Sequence, residues 1–220
     1  MKAERALDCY NLPMLGAIVG CLFLVGAPPP LKAAVRPVPP PGLSWDESDN
    51  LARKVLDFER RLRGMERKRA GSMPAAVSLS QGELNSYLNL GLGAKLPKGL
   101  TGLHFDLNPA QIRATGRVDL EQLKRQLPEQ PRWSPLGLLS GDLPIEVVGR
   151  MKSDAGFGSF EIEEVRLGPM ILPPALVQQL IASATKTARQ PDGFDIRSPF
   201  RLPYGLKRVR VQLGRLLLDF

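Results

Sequence analysis

Seven of the fourteen residues from 28 to 41 are proline, at positions 28 to 30, 37 and 39 to 41. Proline fixes φ and brings no N–H, so such a stretch can enter neither a helix interior nor a sheet ladder. It divides the chain into a short N-terminal part and a long remainder that must bury its own core. We assign residues 28–43 to an extended, semi-rigid linker, which in polyproline II form would reach about 3.1 Å per residue.

Before the prolines, Leu12 to Ala27 form an uncharged run of 16 residues, LPMLGAIVGCLFLVGA, with Lys2 and Arg5 ahead of it. Its length falls between a signal h-region, about 7–15 residues, and a spanning helix, about 20. Residues 1–27 therefore read as a signal peptide or an N-terminal membrane anchor. The expected location is outside the cytoplasm: periplasmic or secreted, or held at a membrane through residues 12–27. Cleavage near Ala33 or Ala34, acylation of Cys21 and retention of the whole leader are all compatible with the run. Both cysteines, Cys9 and Cys21, lie in this segment, so the remainder needs no particular redox compartment.

Residues 44–220 read as a single α+β domain, a curved antiparallel sheet of hairpins packed against helices. Ser44 and Glu47 have the spacing of a capping box, and Leu51, Val55, Phe58, Leu62 and Met65 then recur at helical intervals, which predicts a long helix over 44–70. Ser80 and Glu83 repeat the capping spacing ahead of Leu84, Tyr87, Leu88 and Leu92. Strict alternation at Leu103, Phe105 and Leu107, a turn at Asn108 and Pro109, and alternation again from Ile112 to Val118 predict a β-hairpin. A short helix follows at Leu120, Leu123 and Leu127.

A second hairpin is expected from Ile145 to Leu167, turning at Asp154 to Gly158. The alternation slips at Glu163 and Glu164, as a β-bulge would make it do. Pro173 and Pro174 can open a helix with Leu176, Val177, Leu180, Ile181 and Ala184 on its apolar face, and Val209 to Phe220 alternate once more. LPKGLTGLHFDL (96–107) aligns without gaps to LPYGLKRVRVQL (202–213), so we expect two repeated helix-hairpin units, over 75–127 and 143–220.

No nucleophile elbow is present, and the one histidine, His104, falls on the polar face of a strand without partners at metal spacing. Glu161, Glu163 and Glu164 offer carboxylate pairs, but alternation puts Glu161 and Glu163 on a solvated strand face. We expect no enzyme, no catalytic residue, no metal and no cofactor. Four of the 30 basic residues and two of the 22 acidic ones lie in residues 1–41, which leaves a moderate excess of base in the rest. Lys207, Arg208, Arg210 and Arg215 form a basic surface on the last hairpin, without the interleaved aromatics that stack bases. It suits a membrane surface or an acidic polymer better than nucleic acid.

The segment VSLSQGELNSYL, followed by LPKGL and a hairpin, resembles small bacterial envelope proteins of unknown function. These are similar in outline to tubular lipid-binding domains. The resemblance implies a groove for lipid or another amphiphile, lined by Leu84, Tyr87, Leu88, Phe105, Leu176, Leu180, Ile181 and Val211. All eight positions equally suit an ordinary core. The alternative function is an assembly module that binds another envelope protein through its first helix or an exposed strand edge.

Overall fold

Period-two alternation builds the centre of the molecule. The structure, a computed structural model, describes residues 36–66, 76–92, 96, 99–126, 140–184, 192, 195, 198–202 and 205–220. β2 (Leu100–Asn108) turns through Pro109 and Ala110 into β3 (Gln111–Asp119), then β4 (Asp142–Asp154) and β5 (Phe157–Leu167) add the second hairpin. With β6 (Met170–Ile171) they make an antiparallel sheet in the order β2-β3-β4-β5-β6, and β7 (Phe200–Arg201) pairs with the start of β5. The expected α+β architecture is observed.

The slip in alternation is a bulge in β5. Val148 faces Glu164 and Gly149 faces Ile162, which leaves Glu163 as the extra residue. Gly149 is required there: a Cβ would stand 2.6 Å from the Glu161 carbonyl oxygen and 2.7 Å from the Phe160 ring.

A second sheet joins distant segments in the order β1-β9-β8, with β1 (Ala76–Ser80) pairing in antiparallel register with β9 (Arg215–Asp219) and β9 with β8 (Arg208–Gln212). The two sheets meet at Ser153, whose hydroxyl accepts from the Val209 amide and donates to the Val209 carbonyl, both at 2.7 Å. Leu79, Leu216 and Leu218 from one sheet and Phe105, Val147 and Val165 from the other belong to one apolar cluster, so a single core serves both.

α1 (Trp45–Glu66) buries Leu51, Val55 and Phe58 against this core, and Phe58 stacks obliquely on Phe220 with ring centroids 5.0 Å apart. The side chains of Leu62 and Met65, and residues 67–70, lie outside the described residues. Ser44 and Glu47 do not make the reciprocal bonds of a capping box; Ser86 links them instead. The Ser44 amide donates to the Ser86 hydroxyl at 3.0 Å, and that hydroxyl donates to Glu47 at 2.9 Å. The last part of the linker is not a free spacer, because Arg36 pairs with Asp49 at 2.7 Å and lies 4.7 Å over the Trp45 ring. The Trp45 indole N–H holds the Pro37 carbonyl at 2.9 Å.

α2 (Gln81–Ser86) continues as a wider turn, Tyr87–Gly91, and does form its own capping box at Ser80 and Glu83. It lies along the outer edge of β2. Gln81 accepts from the Leu107 amide at 2.8 Å, Asn85 bonds both backbone groups of Phe105, and Asn89 donates to the Leu103 carbonyl at 2.6 Å. Steps of four residues on a helix and two on a strand advance about 6 and 6.7 Å, so one row of carboxamides can follow the strand. Those amides occupy the positions an added strand would need.

α3 (Leu120–Gln126) and α4 (Pro174–Ala184) complete the described elements. Among the described residues no helix is long and apolar enough to cross a membrane; Leu12 to Ala27 lie outside them. The repeat is partly matched. Gly99 and Gly205 share a left-handed φ, +92° and +71°, but the hairpins that follow belong to different sheets, and the second turns two residues earlier in the aligned frame.

Candidate functional site

Among the described residues, the side chains read from the sequence as a groove are packed as core. Leu84, Tyr87, Leu88 and Phe105 are 0–1 % exposed and packed in the core beneath α1. Leu176 and Val211 are partly buried against the same core, and the side chains of Leu180 and Ile181 lie outside the described residues. The reason is coverage: α1 and the second sheet close over positions whose periodicity is the same in a groove and in a core. Val211 does border an open cleft of about 260 Å³ with Ile112, Met151 and Arg150, where β8 diverges from β4.

The basic surface is partly neutralised from within. Arg208 pairs with Asp154 at 2.5 Å, and Arg210 makes two bonds to Asp219 at 2.8 and 2.9 Å. These contacts hold both carboxyls below the usual carboxylate range and raise Arg210. Lys207 donates to the Phe220 carbonyl at 3.1 Å, and Arg215 is exposed at the turn. Counting arginines in the sequence overstates the free positive charge of this hairpin.

His104 lies between Asn85 at 3.2 Å and Asp106 at 3.3 Å. The glutamates of β5 are each engaged. Glu161 pairs with Lys152 at 2.7 Å, which holds its carboxyl low, while Glu163 takes Arg150 and Gln111, and Glu164 takes Arg166.

The feature that sequence reasoning missed is the far edge of β5. β6 pairs with Arg166 and Leu167, the Leu172 amide still reaches the Val165 carbonyl at 2.8 Å, and then Pro173 and Pro174 follow. Without N–H groups the chain cannot continue the ladder, and it lifts off into α4. At the other end β7 covers only Phe157 and Gly158, and Pro199 precedes it. Among the described residues, Ser159 to Glu164 therefore have no strand on that side. An open cleft of about 460 Å³ runs there, lined by four consecutive residues, Ser159 to Ile162, by Lys152, and by Pro174, Val177 and Gln178 of α4. Four consecutive strand residues present both faces, so the cleft follows the edge itself. The signal was the pair Pro173 and Pro174, which in the sequence reads only as the opening of a helix.

No protein-family model matches this chain, and no curated protein matches it in sequence.

Proposed function

We propose that this protein is a non-enzymatic binding module that captures an extended polypeptide segment as an added strand on β5. The carrying observation is the stretch Ser159 to Glu164, which among the described residues has no strand on the side away from β4 and is bounded by β6 and β7 and walled by the first turns of α4. In strand addition the main chain supplies the affinity, and pockets for alternate side chains supply the selectivity. Here Phe160, Ile162, Pro174 and Val177 offer an apolar wall, while Ser159, Glu161 and Lys152 offer a polar rim. The opposite edge of this sheet, on β2, is already occupied by the side-chain amides of Gln81, Asn85 and Asn89, which leaves β5 as the edge of the larger sheet open to a partner among the described residues. The uncharged run and the proline linker support placing the module at the cell envelope, where it would act in assembly.

The test is a random library of ten-residue peptides read out by hydrogen exchange. Captured peptides are expected to slow exchange of the amides between Ser159 and Glu164 and to leave β2 unchanged. No captured peptide, or protection confined to other elements, would overturn the reading.

A second reading, an amphiphile in the same cleft, is supported by the apolar wall beside the Lys152–Glu161 pair and by a volume within the range of small-molecule sites, about 300–1,000 Å³. It keeps the likeness to tubular lipid-binding domains. Native mass spectrometry of protein purified without detergent distinguishes it: a reproducible lipid adduct that blocks peptide binding favours the amphiphile.

A further inference from the structure

The outer face of the larger sheet pairs its charges from strand to strand. Arg113 and Arg117 of β3 meet Glu146 and Asp142 of β4 at 2.6 and 2.7 Å. Arg150 and Lys152 of β4 then meet Glu163 and Glu161 of β5. In every one of these pairs the strand nearer β3 supplies the base and the strand nearer the β5 edge supplies the acid. Over this stretch the outermost charges are acidic, and the Glu161 side chain, 58 % exposed, has only Lys152 as an ion-pair partner among the described residues. A carboxylate has two oxygens and about four acceptor sites, so a second cation can bind without displacing the first. The opposite face of the same stretch carries Phe160 and Ile162.

We infer that the strand accepted at this edge alternates cationic and apolar residues, its cations lying over Glu161 and Glu163 and its apolar side chains beside Phe160, Ile162 and Val177. The inference rests on the strand-addition reading above and names the class of partner. A second copy of this chain fits poorly. Antiparallel self-pairing must set outward residues against outward residues, which places Glu161 opposite Glu161 or Glu163, and like charges directly opposite are destabilising. A basic partner instead gains at each pair and is steered toward the edge.

The probes are three eight-residue peptides with blocked ends: alternating Val and Lys, alternating Val and Glu, and four Val followed by four Lys. Binding is measured by fluorescence anisotropy at low and moderate salt, with hydrogen exchange locating the contact. The alternating Lys peptide is expected to bind about ten-fold more tightly than the alternating Glu peptide, and the block isomer to lose that advantage. Glu161→Gln should weaken the Lys peptide several-fold with at most a small drop in thermal melt, as expected for the loss of one exposed ion pair. Lys152→Glu together with Glu161→Lys, which keeps the internal pair, should reverse the preference. Equal binding of both alternating peptides, or a block isomer as tight as the alternating one, would overturn the inference. If library peptides protect Ser159 to Glu164 while none of these probes binds, the charge rule fails and strand addition stands. If nothing protects those amides, both fail.

Discussion

The carboxamide of Asn85 is bonded to both backbone groups of Phe105. It accepts from the Phe105 amide at 2.8 Å and donates to the Phe105 carbonyl at 3.1 Å, and both residues are buried. One side chain here substitutes for a residue of a neighbouring strand. The contrast with β5 is direct: the same sheet has one edge closed by its own helix and another interrupted by prolines.

Replacing Asn85 by alanine would leave a buried N–H and C=O without their partner. Each such group costs about 1–3 kcal/mol, so Asn85→Ala should lower unfolding stability by roughly 2–4 kcal/mol. Asn85→Asp should be at least as damaging, because the carboxylate cannot donate to Phe105 and carries a charge into the core. Urea denaturation with an unchanged m-value is the check; a loss below about 0.5 kcal/mol would refute the assignment.

The turn between β4 and β5 contains Ala155 at φ +47° followed by Gly156 at +85°. Two-residue hairpin turns with positive φ at both positions favour Asn-Gly, and alanine is strained there. Ala155→Asn is expected to stabilise the protein by about 0.5–1 kcal/mol, seen as a higher denaturation midpoint.

Gly149 faces the β5 bulge with no room for a side chain. Gly149→Ala should cost about 1–3 kcal/mol through overpacking against Phe160 and the Glu161 carbonyl. The same exchange at Gly141, which has open space around it but a φ of +82°, would report backbone strain alone. Comparing the two variants by thermal melt separates close approach from conformation.

Asp154, Glu161 and Asp219 are held below their ordinary values by hydrogen bonds from Arg208, Lys152 and Arg210, respectively. A carboxyl whose folded pKa is depressed contributes stability that is present above its unfolded value, about 4, and lost as pH falls through the folded one. Stability should therefore decline on acidification below about pH 5, and Asp219→Asn should flatten that decline. Denaturation midpoints at neutral and acid pH test this, and parallel profiles for wild type and variant would contradict it.

Much of the strand architecture was legible in the residues. Alternation located both central hairpins, the slip at Glu163 and Glu164 marked a real bulge, and Ser80 with Glu83 announced a true capping box. The groove residues were legible only as apolar positions. Phe105 has the same pattern whether it lines a chamber or, as observed, sits 1 % exposed beneath a helix. The basic hairpin misled for a related reason, since the partner of Arg208, Asp154, lies 54 residues away.

The sequence alone determined which faces are apolar, where strands must stop and which helices are capped, because those depend on residues a few positions apart. Tertiary structure alone decided that β1 pairs with β9, that side-chain amides from α2 and the turn after it close β2, and that one stretch of β5 has no strand beside it on the side away from β4 among the described residues. Periodicity reports what a segment can bury. What covers it depends on segments far along the chain, and local pattern carries no record of them.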